Sequence, residues 1–171
     1  MTNKDVHGFG IFGMWGPITD PGEHWFSSRV RDELGVNIHE SPYRDYDVNN
    51  IVAEILRLPL TAIVLIWGTS LGANNAPIAA QYARRRIDGV FGFQASIWGA
   101  HGYVTPNVKH AHLISSDNPM NGGLGAYRWI DDTGKPGTVT YTTRNLPHPG
   151  DTDEWSQNLF LGEMKAIIAN A

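Results

Sequence analysis

Six consecutive apolar residues, Ala62-Ile63-Val64-Leu65-Ile66-Trp67, constrain this chain more than any other feature. The run is far too short to cross a bilayer. Its β-branched members favour a strand, and a strand with no polar face has to be covered on both sides. Sheets of that kind lie between two layers of helices. The rest of the chain agrees, because strand and helix signals alternate along it.

Val6 to Gly13 reads as a first strand. A helix from about Gly22 to Leu34 follows, with Phe26, Val30 and Leu34 on one face. Gly35 stops it, and Val36 to His39 reads as a short second strand. Asp47 is placed to cap a helix whose buried stripe is Val48, Ile51, Val52, Ile55 and Leu56. The run from Ala62 to Trp67 is the third strand. Gly68 to Gly72 forms a tight turn, and Leu71 to Arg86 a helix that Pro77 should kink. Asp88 to Gln94 and Lys109 to Ser115 read as a fourth and a fifth strand, joined by a Gly- and Pro-bearing loop from Ser96 to Asn107. Asp117 to Gly137 is a long connection, with a short helix expected at Leu124 to Ile130. Thr138 to Thr143 alternates as a sixth strand. Thr152 to Ala169 closes the chain as a helix capped by Asp151 or Thr152, with Leu159, Met164, Ile167 and Ile168 turned inward.

The expected fold class is therefore α/β: a three-layer α/β/α sandwich around a mostly parallel six-stranded sheet. The 171 residues contain no linker-like stretch, which fits a single domain over 1–171. A net charge of −4 and the absence of a basic stripe argue against a nucleic-acid partner. Arg84-Arg85-Arg86 is expected to sit in solvent at a helix C-terminus, favoured by the dipole. Without cysteine there is no disulfide, thiol nucleophile or thiolate metal site. The polar N-terminus lacks the form of a signal peptide, and no apolar run spans a membrane; a soluble, cytoplasmic protein is expected.

In parallel sheets of this kind ligands bind beyond the carboxyl ends of the strands. Gly68-Thr69-Ser70-Leu71-Gly72 stands there and fits G-x-S-x-G, between a buried strand and a helix. The turn would expose the Ser70 hydroxyl, while the helix N-terminus aims amides at the same point. A serine hydroxyl needs a base, and the base an orienting carboxylate. His148, in Leu146-Pro147-His148-Pro149-Gly150, follows the last strand and is the candidate base. Asp117, after the fifth strand, is the candidate acid, with Asp131 and Asp132 as alternatives. The N–H of Leu71 is one expected oxyanion donor. The glycine-flanked Gly13-Met14-Trp15-Gly16 supplies the other, from Met14 or else Trp15.

The elbow and this order of serine, acid and histidine resemble the α/β-hydrolase superfamily, and within it small lipases, esterases and cutinases. The resemblance implies a minimal member that lacks two opening strands and has too short a loop at Ser96 to Asn107 for a helical lid. It departs from common patterns at Thr69, Ala73 and Phe12. It implies hydrolysis of a small-molecule or polymeric carboxylic ester through an acyl-enzyme, with no cofactor. A thioesterase, an acyltransferase or a non-catalytic binding module would use the same scaffold. A nucleotide-binding domain of flavodoxin type is disfavoured: there is no P-loop Lys, and no G-x-G-x-x-G opens a helix after the first strand. Trp15, Trp67, Trp98 and Trp129 fall near strand ends and could line an acyl pocket or fill the core. Trp155 could support His148. His110 and His112 share one strand face, but no third metal ligand is evident from spacing, so no metal is expected.

Overall fold

A computed structural model of the chain describes residues 4–13, 21–39, 47–96, 101–116, 128–146 and 152–171. The strands are β1 (Val6–Ile11), β2 (Asn37–His39), β3 (Ile63–Thr69), β4 (Gly89–Phe93), β5 (Tyr103–Val104), β6 (Ala111–Ser116), β7 (Ile130–Asp131) and β8 (Val139–Arg144). The helices are α1 (Pro21–Leu34), α2 (Val48–Arg57), α3 (Leu71–Ala83) and α4 (Glu154–Asn170). Six strands make one sheet in the order β2-β1-β3-β4-β6-β8, and every pairing in it is parallel. This is the expected three-layer α/β/α architecture. None of the helices is long and apolar enough to cross a membrane.

The interior strands of the sheet are covered on both faces. On one, Phe9, Ile11, Val64, Ile66, Val90 and Leu113 pack with Ile51 and Ile55 of α2 and the alanines of α3. On the other, Leu65, Trp67, Phe91, Phe93 and Ile114 pack with Phe26 and Val30 of α1 and with Phe160, Leu161 and Met164 of α4. Successive residues of β3 thus serve opposite layers, which is why no polar residue interrupts its run. Burying a side chain such as Phe26 or Ile66 stabilises the fold by about 1.5–3 kcal/mol.

The chain starts at β1 in the sheet's interior, steps to the edge at β2, then crosses back to β3 and continues the other way. The helices that follow β1 and β3 therefore lie on opposite faces, α1 on one and α3 on the other. The crevice between those two strand ends is the sheet's topological switch point.

Several local expectations are corrected. Helix α3 ends at Ala83, because Arg84 adopts a left-handed conformation at φ 49°. Arg85 does not sit in solvent. It is buried and donates to the carbonyls of Ile55, Leu58 and Pro59, closing the C-terminus of α2. Arg86 pairs with the buried Asp88 at 2.6 Å. Asp47 occupies the N-cap position of α2, but its side chain makes no capping hydrogen bond, and Leu56 is exposed. The cap of α4 is Asp153, not Asp151 or Thr152; its carboxylate accepts from the Ser156 N–H at 2.8 Å. The loop between β4 and β6 holds β5, which pairs with β7 in a separate two-stranded sheet. Ile130 is accordingly a strand residue, and the rest of the helix expected at Leu124 to Ile130 lies outside the described residues.

Pro77 lies inside α3 and cannot donate to the Ala73 carbonyl one turn earlier. The indole N–H of Trp129 takes that carbonyl instead, at 3.0 Å.

Candidate functional site

Ser70 joins β3 to α3 with φ 53° and ψ −118°. A residue with a side chain seldom adopts this conformation, which matches the first central position of a type II′ turn, usually given to glycine. Holding it costs about 1–3 kcal/mol, so the surroundings must fix it. They do so on three sides. The Ser70 N–H donates to the Phe93 carbonyl at 3.0 Å, extending the β3–β4 pairing past the strand end. The Ser70 carbonyl accepts from the N–H of Asn74 at 3.3 Å and from that of Ser96 at 3.2 Å. The fully buried Asn74 side chain then bonds the Ser96 backbone twice, accepting at 2.7 Å and donating at 2.8 Å. The loop leaving β4 is thereby tied to the elbow.

The two flanking glycines are required by contact. A Cβ at Gly68 would lie 2.5 Å from the Gly72 carbonyl carbon, inside the first turn of α3. A Cβ at Gly72 would lie 2.1 Å from the Ile11 carbonyl oxygen and 2.9 Å from that of Phe12. Small residues thus let α3 start directly against the ends of β3 and β1, at the switch point. The Leu71 amide is in the first turn of α3, where N–H groups have no acceptor within the helix and the dipole is positive. Ser70 itself is partly exposed beside it.

Thr69, before the serine, is fully buried and donates its hydroxyl to the Glu23 carboxylate at 3.3 Å. Glu23, itself buried in the first turn of α1, was not legible as part of this region. Neither was Asn74. One polar residue inside a helix carries no periodic signal, and the partners of both are remote in sequence.

Trp67 and Trp129 are corrected as pocket-lining residues. Trp67 is fully buried, packs over Gly8 and donates its indole N–H to Ser27 at 3.2 Å. Trp129 is buried against Gly92 and Gly102 and bonds Ala73. Both fill core space, the alternative that the sequence left open. Gly8, Gly10 and Gly13 carry the spacing of a dinucleotide fingerprint, but the first two are interior to β1 and make room for Trp67 and Glu23. Asp131 is exposed in β7 and accepts from the N–H and hydroxyl of Thr133. Trp155 is exposed and stacks under the Arg144 guanidinium at 4.0 Å. Met14, Trp15, Trp98, Asp117 and His148 lie outside the described residues.

Elsewhere, His110 and His112 meet a carboxylate that spacing could not reveal. Glu163 of α4 reaches His110 Nε2 at 2.9 Å and His112 Nδ1 at 2.8 Å. Burial would raise its pKa, but the two histidine hydrogen bonds outweigh burial and hold it at about 2.

No protein-family model matches this chain, and no curated protein matches its sequence. One solved structure does match, with a TM-score of 0.62 over 94% of this chain and 98% of the other, at 14% identity. It comes from Xanthomonas campestris pv. campestris and is provisionally described as a hydrolase of the alpha/beta superfamily. The chain thus has the α/β-hydrolase fold.

Proposed function

We propose that this protein is a serine hydrolase that cleaves carboxylic esters through an acyl-enzyme. The observation that carries the reading is the backbone of Ser70, φ 53° and ψ −118°, at the junction of a buried parallel strand and a helix. A packed fold has no evident reason to hold a serine in a glycine-like conformation there unless its hydroxyl is to be presented. The description of the Xanthomonas structure as a hydrolase supports the same class of reaction.

In this mechanism Ser70 Oγ attacks the ester carbonyl as His148 takes its proton. The tetrahedral oxyanion is held by the Leu71 amide and by a second amide, assigned to Met14. Collapse breaks the bond to the alkoxy group, and His148 returns the proton to the departing alcohol. Water repeats the sequence on the acyl-enzyme and releases the acid. Asp117 holds the histidine tautomer and balances its charge. No step requires a cofactor. The loop from Ser96 to Asn107 is too short for a helical lid, which suits short acyl chains or an ester presented on a larger molecule.

The test is p-nitrophenyl butyrate hydrolysis by wild type, Ser70→Ala and His148→Ala, with folding checked by circular dichroism. Both variants should fold and lose at least about a thousandfold in kcat. Full activity in Ser70→Ala would exclude this mechanism. A folded wild type that neither turns over esters nor reacts at Ser70 with a fluorophosphonate would favour the binding-module reading.

A further inference from the structure

We propose that His110, His112 and Glu163 form a binding site for a divalent transition-metal cation, with zinc preferred, that clips α4 to β6. His112 on β6 and His110, just before that strand begins, both reach Glu163, which meets them from α4. One donor atom from each residue falls within a set whose members lie within 4.8 Å of one another. A tetrahedral zinc ion holds its nitrogen and oxygen donors about 3.3 Å apart, as bonds of about 2.0–2.1 Å require. Small side-chain rotations therefore open the cluster around a cation, with no change in the backbone. Two imidazoles and one carboxylate suit zinc, cobalt or nickel better than magnesium or calcium, which favour oxygen donors.

The surroundings fit a ligand role. The far nitrogen of His112, Nε2, lies 2.8 Å from the Thr142 hydroxyl on β8. A hydroxyl can donate or accept, so Thr142 serves both tautomers. Without a cation, an ionised Glu163 can only accept, so His112 Nδ1–H points to it, and the Thr142 hydroxyl meets Nε2 in whichever sense that nitrogen requires. With one, Nδ1 binds the metal, the proton resides on Nε2, and Thr142 accepts it. That second arrangement is the outer-sphere hydrogen bond typical of metal-bound histidine. The cluster borders a cavity of about 340 Å³ between α4 and the start of β6, lined by His110 and Glu163 together with Asp88, Lys109, Ala166 and Asn170. A water from this cavity completes the fourth position.

The site is separate from the elbow. Strand register sets His112 level with Phe91, and Phe91 level with Trp67, two strands away and below the β3 end. The proposal therefore stands or falls independently of the esterase reading.

The experiment is calorimetric titration of Zn²⁺, and optical titration of Co²⁺, into the untagged, chelator-treated chain. Wild type should bind one equivalent, give the ligand-field absorption of tetrahedral cobalt, and gain roughly 5–10 °C in Tm at a hundredfold excess over Kd. His110→Ala and Glu163→Gln should each weaken binding more than about a hundredfold, and Thr142→Val about tenfold. His39→Ala removes a histidine from the separate His7–His39 pair and should leave binding unchanged. His110 is partly exposed, so His110→Ala decides the matter even if another variant fails to fold. Absence of binding in wild type would overturn the proposal. So would undiminished binding in His110→Ala, or its loss in His39→Ala, since either would place the cation elsewhere.

Discussion

A methyl group at position 72 would meet the Ile11 carbonyl oxygen at 2.1 Å, and neither backbone can give way cheaply. Gly72→Ala should therefore cost about 3 kcal/mol or more, read as a lower urea midpoint, and should reduce ester turnover by displacing α3. Ser70 offers a complementary test. Its positive φ is a strain that glycine does not feel, so Ser70→Gly should be about 1 kcal/mol more stable than Ser70→Ala, while both are inactive. Equal stability of the two would mean that the elbow relaxes in solution. At this scale the sequence was informative where chemistry and spacing coincide, as in Gly68-Thr69-Ser70-Leu71-Gly72. It was silent on Glu23, Asn74 and Glu163. Each is a polar residue on a helix whose importance depends on what folding brings beside it, and nothing local marks that.

Between elements, the Ala73 carbonyl shows how one irregularity is compensated by another. Pro77 removes its helical donor, and Trp129 replaces that donor from a segment far along the chain. Trp129→Phe should destabilise the fold by about 2 kcal/mol, from an unpaired buried carbonyl and lost packing. In Pro77→Ala the backbone N–H of residue 77 can take the carbonyl itself. A double-mutant cycle by denaturant unfolding should therefore give a smaller cost for Trp129→Phe in the Pro77→Ala background. Additive effects would deny that the two share one acceptor. The order of strands and helices was legible because periodicities of two and near four persist over many residues. Boundaries were less so: the α4 cap moved to Asp153, and α3 stopped where Arg84 turns left-handed. The pairing of β5 with β7 was invisible, because two-residue strands carry no period.

For the molecule as a whole, α4 is held to the sheet by apolar packing and by the Glu163 cluster. The carboxyl of Glu163 is lowered from 4.5 to about 2 by His110 and His112 despite burial. A depressed carboxylate contributes stability above its ordinary pKa, and that contribution fades as pH falls toward the folded value. In chelator-treated protein, Tm should fall between about pH 4.5 and pH 2, more steeply for wild type than for Glu163→Gln. Parallel slopes would remove Glu163 from the acid response. The sandwich was legible from one apolar run, since a strand dry on both faces admits few architectures. Which helix shares a face with which was not, because that follows from the reversal of strand order beside β1.

The bond between Trp129 and the Ala73 carbonyl also bears on the chain's history. While the tryptophan is present, proline at 77 can come and go with little consequence. Once the proline is fixed, the tryptophan is no longer free to drift. The order of substitution is therefore ratcheted: lineages that retain Pro77 should keep an N–H donor at position 129, and those that lost the donor should have lost the proline first.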